Sequence, residues 1–339
     1  MIDLRSDTVT KPTQEMLQAM FSARVGDDVF RDDPTVNQLE KKISNMFDME
    51  SAIFCPSGTM TNQIAINAHT NPGDEVICDR LSHIYNYEGG GIARNSGVST
   101  RLLSGNRGRF QASDVLNNIN PDDEHFPITS LVSIENTCNK GGGSVWNFKD
   151  IKEIADICKK QNLKIHLDGA RLFNALTETK EQPKDYGEIF DSISICLSKG
   201  LGAPIGSILL GTSKFIKKAR RIRKVFGGAM RQVGYIAAAG IYALDNNIER
   251  LEQDHKRAKT IENNLNVLPY VKFIYPVETN IILFELVSNI DVHLFLKKLE
   301  AKKIAAIRTG PKSIRMVTHI GFDDDMLETT VSALNNIKI

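Results

Sequence analysis

The chain has 339 residues, 41% of them hydrophobic and 24% charged, a globular mixture with material for about two domains of roughly 150 residues each. Its 42 basic and 41 acidic side chains leave a formal charge of +1. That balance excludes a polyelectrolyte whose main task is to coat nucleic acid or an anionic membrane, and it leaves little self-repulsion against oligomerisation.

No run reaches the roughly 18 apolar residues that a membrane-spanning helix needs. The opening, Met1-Ile-Asp-Leu-Arg-Ser-Asp-Thr8, lacks the apolar core of a secretory leader. Five cysteines, at 55, 78, 138, 158 and 196, are odd in number and scattered without a CxxC pair. They read as free thiols in a reducing cytoplasm.

In chain order, Lys11-Pro12 precedes an amphipathic stretch from Gln14 to Phe21, and Pro34 opens a helical pattern through Leu39, Ile43 and Phe47. Ala52–Cys55 reads as a buried strand, followed by Pro56-Ser-Gly-Thr59 and a helical pattern through Met60, Ile64 and Ala68. Further strands are expected at Glu75–Cys78, Leu131–Ile134, Lys164–Leu167, Ser192–Leu197 and Ser207–Leu210, with a helix over Asp150–Gln161. Short strands alternating with helices predict an α/β fold, a mainly parallel sheet with helices on both faces. Phe215 to Asp254 is mostly helical, interrupted at Gly227-Gly228. Beyond it, Val271–Tyr275, Asn280–Glu285 and Ser313–Val317 read as strands of a smaller α+β unit. The expected domains are 1–248, including an N-terminal arm over 1–20, and 249–339.

Two segments carry most of the chemistry. Lys164-Ile-His-Leu-Asp-Gly-Ala-Arg171 and Ser194-Ile-Cys-Leu-Ser-Lys-Gly200 each place a charged group at the carboxyl end of an apolar strand, where open α/β sheets bind ligands. A strand, a crossover and a second strand would deliver Asp168 and Lys199 to one crevice. The small and apolar neighbours of Lys199 favour a neutral, nucleophilic amine. Pro56-Ser-Gly-Thr-Met-Thr-Asn62 sets hydroxyls and small residues at a helix start, which reads equally as a phosphate cradle or an ordinary cap.

Other patterns point elsewhere. Gly200-Leu-Gly-Ala-Pro-Ile-Gly206 has the wrong glycine spacing for a dinucleotide loop, and Pro204 falls where its helix should begin. His166 and Asp168 share a strand face and suit a metal, but no third ligand is near in sequence, so the non-metal reading is preferred. Gly141-Gly-Gly143 reads as a flexible loop, and the basic run Lys214–Lys224 as a solvated or subunit-facing surface.

Over nearly its whole length the chain resembles the low-specificity L-threonine aldolases, fold type I enzymes dependent on pyridoxal 5'-phosphate. The resemblance lies in Ile2-Asp-Leu-Arg-Ser-Asp-Thr-Val-Thr10, Val25-Gly-Asp-Asp-Val29, Asp32-Asp-Pro-Thr-Val36, Glu135-Asn-Thr137, His166–Arg171, Leu197-Ser-Lys-Gly-Leu-Gly202, Gly228-Ala-Met-Arg-Gln232 and Arg315-Met-Val-Thr-His319. It implies that Lys199 bonds the cofactor covalently, Asp168 pairs with the pyridine nitrogen and Gly58 and Thr59 hold the phosphate. By the same resemblance, Arg171 meets the ring hydroxyl, His83 stacks on the ring, and Ser6 and Arg315 anchor the substrate carboxylate. Lys224 and Arg231 match positions that reach a neighbouring subunit's site, which implies a homo-oligomer, a dimer of dimers. His83 and His125 are the candidate bases for the β-hydroxyl proton, with a bound water as the alternative, and Tyr87 stands near His83 as a substrate contact.

The implied reaction is retro-aldol cleavage of threonine or allo-threonine to glycine and acetaldehyde. Two departures stand out: Cys138 where relatives commonly carry histidine, and Phe30 where they often have tyrosine. The rival readings are another fold type I enzyme, a β-eliminating lyase or an aminotransferase, and a non-catalytic ligand-binding relative.

Overall fold

Runs of Ile, Val and Leu between turn residues form the central sheet, because a strand covered on both faces needs apolar side chains at successive positions. The computed structural model describes residues 1–337. Its strands are β1 Ile2–Asp3, β2 Ser51–Cys55, β3 Glu75–Asp79, β4 Ser99–Leu103, β5 Thr129–Glu135, β6 Lys164–Asp168, β7 Ser192–Cys196 and β8 Ser207–Gly211. The C-terminal part adds β9 Val271–Ile274, β10 Ile281–Leu286, β11 Ile304–Ala305, β12 Ile307–Arg308 and β13 Ser313–Val317.

Strands β2 to β8 make one seven-stranded sheet in the order β2-β8-β7-β6-β5-β3-β4. β8 runs against both of its neighbours, and the other pairings are parallel. The register sets Glu135 opposite Asp168, and Asp168 opposite Ser194. The ends of β5, β6 and β7 therefore finish nearly level, which is what brings their polar termini to one crevice. The α/β architecture with a mainly parallel sheet agrees with the sequence expectation.

β4 escapes the sequence pattern because it is a half-exposed edge strand of Ser, Thr and Arg before its two leucines.

Helix starts follow their caps. The Pro34–Met46 helix begins at Asp33, whose Oδ1 accepts from the Thr35 and Val36 N–H groups. Ser57 caps Gly58–His69 by accepting from Met60 N–H. The long helical region is three helices, Ser213–Val225, Gly234–Asn246 and Leu251–Leu265, with one break at Gly227, where φ is +76°.

The small sheet is antiparallel, β12-β13-β10-β9, and β1 pairs in parallel with β11. The N-terminal arm therefore crosses to the C-terminal unit, and Leu4 is buried in that unit's core. The Leu251–Leu265 helix serves both units. Leu251 packs in the large core, and Ala258, Ile261 and Leu265 pack in the small one.

Two local expectations are corrected. Gly141–Gly143 is a buried turn rather than a flexible loop: Gly142 and Gly143 have φ of +75° and +71°, and a Cβ on Gly141 would lie 2.1 Å from the Arg107 carbonyl oxygen. The basic run also turns partly inward. Arg223 is buried, donating to Asp28 at 2.7 Å and to the Phe54 carbonyl at 2.6 Å, because it lies on the packed face of an amphipathic helix. Removing one partner of a buried ion pair leaves the other charge stranded. Arg223→Ala should therefore lower unfolding free energy by about 3–5 kcal/mol in urea titrations, whereas Arg221→Ala on the exposed face should stay within about 0.5 kcal/mol of wild type.

Candidate active site

The carboxyl ends of β5, β6 and β7 open onto two adjoining cavities of about 450 and 140 Å³ that share His83, Asp168, Ala170 and Lys199. Lys199 follows β7 by three residues, and Asp168 is the last residue of β6. The sheet order makes their strands neighbours. The smaller cavity is lined by Ser57, Gly58 and Thr59 at the start of a helix, where backbone N–H groups have no intrahelical acceptor. A Cβ on Gly58 would lie 2.5 Å from Cys196 Sγ, so the glycine lets the turn approach the end of β7.

Asp168 is 2% exposed; its Oδ2 accepts from Asn62 Nδ2 at 2.9 Å and its Oδ1 from Ala170 N–H at 3.2 Å. Beside it, Glu135 is buried and accepts from the backbone N–H of His83 at 2.7 Å and of Asn139 at 2.8 Å. Burial and the adjacent Asp168 charge push the Glu135 carboxyl up to about 7. His83 Nδ1 lies 3.0 Å from Glu88 Oε1. Burial opposes its protonation, but the hydrogen bond to Glu88 and the charges of Asp168, Glu88 and Glu135 outweigh it, so the imidazole holds its proton above the usual range.

The larger cavity is lined by the arm and the small unit as well: Ser6, Thr8, Tyr87, Asn139, Arg171, Ile307, Arg308, Thr309 and Arg315 join the shared residues. Arg315 donates Nη1 to Asn139 Oδ1 at 2.8 Å and Nη2 to the Arg5 carbonyl at 3.0 Å. Its buried Nε has no hydrogen-bond partner among the described residues. Burial and the nearby Arg171 charge lower its pKa to about 10, against the pull of Asp7 and Tyr87. The cavity therefore presents an incompletely satisfied cation, which suits an anionic ligand.

Arg171 is buried but already engaged: Nε and Nη2 grip Asp7 at 2.7 and 2.8 Å. The donors that the resemblance assigns to a ring hydroxyl are thus largely committed to the arm. The pairing outweighs the burial of Asp7 and holds its carboxyl far below the usual range.

Of the residues singled out in sequence, Ser6, Gly58, Thr59, His83, Tyr87, Asp168, Arg171, Lys199 and Arg315 line the two cavities. Three others line neither. His125 is exposed on a loop, with Nδ1 2.7 Å from Asp123 Oδ1. Lys224 is exposed near the end of its helix. Arg231 is exposed, pairing with Asp27 at 2.8 Å and lying 5.9 Å from the Phe30 ring.

Sequence reasoning gave no role to Asp7, Asn62, Glu88, Glu135 or Asn139. Asp7 and Glu135 stood inside quoted motifs, and Asn62 lies one helical turn beyond Gly58, so its side chain returns to the cavity. Glu88 and Asn139 sit in segments without periodicity, where nothing local marks them.

His166 is held by side chains on both sides. Its two ring nitrogens lie 2.8 Å from Ser192 Oγ and 3.1 Å from Asn62 Oδ1, so neither is left for an ion. His83, Glu88 and Asp168 do bring ligand atoms within 4.8 Å of one another, but their contacts are explained by Asn62, Gln63 and each other.

A lysine and a buried carboxylate thus line one space at the strand ends beside a helix start, and known proteins share the fold. The structure of Leishmania major threonine aldolase superposes with a TM-score of 0.86 at 21% identity, covering 99% of each chain. That of a protein from Listeria monocytogenes described as a putative L-allo-threonine aldolase superposes with a TM-score of 0.80 at 21% identity, covering 98% of this chain and 95% of that one. In sequence, residues 3–288 match the beta-eliminating lyase family, to which this chain belongs. It is 40% identical over 328 residues to the low specificity L-threonine aldolase of Escherichia coli K12, covering 96% of both chains. It is 39% identical over 343 residues to a probable low-specificity L-threonine aldolase of Arabidopsis thaliana, covering 99% of this chain and 97% of that protein.

Because the folded state holds the Glu135 proton up to about 7, while the unfolded chain releases it at an ordinary carboxylate pH, its contribution to stability falls as pH rises through that window. In thermal melts of the cofactor-free protein, the stability of wild type relative to Glu135→Gln should decline from acidic to neutral pH. A constant difference across that range would refute the assignment.

Proposed function

We propose that the protein is a pyridoxal phosphate-dependent low-specificity L-threonine aldolase, cleaving L-threonine, L-allo-threonine and related β-hydroxy-α-amino acids to glycine and an aldehyde. The observation that carries this reading is the convergence of Lys199 and Asp168 on cavities bounded by the helix start at Gly58. Near-full-length identity to the named aldolases supports the choice of substrate.

The residues fit the cofactor. A glycine keeps the helix start clear where a Cβ would strike Cys196, a buried carboxylate faces the shared space, and an amine lies within it. When bound, the cofactor supplies an aldehyde for covalent attachment and an electron-accepting ring that takes up the pair released from the substrate's Cα–Cβ bond.

The protein's own groups divide the remaining work. Thr59 and the N–H groups of the helix start bind the phosphate, and Asp168 holds a proton on the ring nitrogen. Arg315 binds the substrate carboxylate from the wall of the larger cavity, where Ser6 also lies. His83 Nδ1 is engaged by Glu88, so Nε2 is the atom left to take the β-hydroxyl proton. Lys199 Nζ returns a proton to the α-carbon of the glycine product. The proton lost from the hydroxyl and the one gained at carbon balance, so threonine gives glycine and acetaldehyde with no other reactant.

We also infer a cytoplasmic homo-oligomer, a dimer of dimers in which Lys224 and Arg231 reach a neighbouring subunit's site. The support is that both are exposed and line neither cavity of their own chain, while Val225 and Tyr235 expose apolar surface along the same segment and Phe30 does so beside Arg231. The cysteines are free and buried, which suits a reducing compartment.

Three measurements test this reading. Purified protein should absorb visible light from its bound cofactor and release acetaldehyde and glycine from L-threonine; ammonia and a keto acid would refute aldol cleavage. Lys199→Ala should lose the visible band and at least about a thousandfold of the cleavage rate. Arg315→Ala should keep the cofactor but raise KM for threonine roughly tenfold to a hundredfold, the loss of a charged hydrogen-bonded grip, and an unchanged KM would remove Arg315 from that role.

A further inference from the structure

Behind Asp168 runs a buried polar chain that the proposed chemistry does not use. Asn62 Nδ2 has two hydrogens, and both are committed to carboxylates, Asp168 Oδ2 and Glu88 Oε1, each at 2.9 Å. Turned about, the amide would point its oxygen at two acids. Its orientation therefore needs a donor on the far side, and His166 Nε2 is there, 3.1 Å from Asn62 Oδ1. His166 Nδ1 lies 2.8 Å from Ser192 Oγ, and Ser192 Oγ lies 2.8 Å from His69 Nε2. Asn62, His166 and Ser192 are all buried.

These contacts close in one direction if His166 is neutral. His69 Nε2–H donates to Ser192, Ser192 O–H donates to His166 Nδ1, and His166 Nε2–H donates to Asn62, which donates to both acids. Burial favours this state, since it lowers the pKa of His166 to about 4 and that of His69 to about 3. Glu88 also meets His83. One amide thus braces the carboxylate on one side of the shared cavity and the histidine on the other.

We propose that His166 is a positioning residue for the cofactor site: its Nε2–H fixes the Asn62 amide, which in turn fixes both the Asp168 carboxylate and, through Glu88, the His83 ring. The proposal rests on the pyridoxal phosphate reading above. It gives a role to a histidine that the sequence presents as a metal candidate, and it needs no contact between His166 and any ligand.

The test has one arm that requires no variant. Ring-nitrogen NMR of histidine-labelled, cofactor-free protein should show His166 as the neutral Nε2–H tautomer across the neutral pH range, with the signal assigned by its loss in His166→Gln. An Nδ1–H tautomer or an imidazolium would overturn the proposal. The second arm titrates cofactor-free protein with pyridoxal phosphate and follows visible absorbance. His166→Leu, which removes the donor, should weaken binding about tenfold, whereas His166→Gln, which keeps a donor at the Nε2 position, should remain within about twofold of wild type.

In the reconstituted variants, kcat for threonine should follow the same order while KM stays near wild type, because Ser6 and Arg315 are not part of the chain. Equal affinity of His166→Leu and wild type, or equal loss in both variants, would overturn the role of the Nε2–H donor. A wild-type protein that bound no pyridoxal phosphate would instead refute the functional reading, and the tautomer measurement would still decide the hydrogen-bond chain.

Discussion

Glu135 and Asp168 end adjacent parallel strands as a register pair, and both are nearly excluded from water. Two acids in that position lose hydration and repel each other, so they need donors, and much of the site is their supply. The first turn after β3 offers its His83 N–H, the turn after β5 offers the Asn139 N–H, the Gly58–His69 helix sends in Asn62, and Ala170 closes on Asp168 from its own strand end. In the proposed holoenzyme, a ring nitrogen kept protonated by Asp168 would add to the positive charge that His83 already brings to this group of acids.

The second organising contact joins the chain's beginning to its middle. Arg171 and Asp7 form a buried bidentate pair, and Asn280 donates to the same carboxylate at 3.2 Å. With β1 beside β11, Val317 N–H on the Leu4 carbonyl and His319 Nε2 2.7 Å from the Asp3 carbonyl oxygen, the arm is stitched along its length to the small unit. Ser6 is held at the cavity by this seam, and so is the Arg5 carbonyl that accepts from Arg315. Arg171 has an architectural task before any ligand arrives.

The parts that were legible in sequence are those governed by local rules. Apolar runs ending in charged residues marked β6 and the approach to Lys199. Ser57 and Pro34 marked helix starts through capping and ring geometry. The parts that were not legible depend on what the chain meets far away. Gly141–Gly143 looks like slack in a sequence, yet the Arg107 backbone fills the space a side chain would need. Arg223 looks like its exposed neighbours, yet Asp28, distant in the chain, turns it into a buried partner. Glu88 and Asn139 have no pattern at all, since their significance comes from the groups they touch. Lys224 and Arg231 belong to a different case: their proposed work lies in another subunit, beyond what one chain's geometry contains.

The Leu251–Leu265 helix, rooted in the large core at one end and in the small core along the rest, is a single rod shared by both. Arg315 lies on the small unit's sheet and Lys199 just beyond a strand inside the large one, so the distance between the proposed carboxylate-binding guanidinium and the proposed reactive amine depends on how the two cores are held together, this shared rod included. Two proposed roles, written far apart in the chain, thus share a span that a helix lining neither cavity helps to fix.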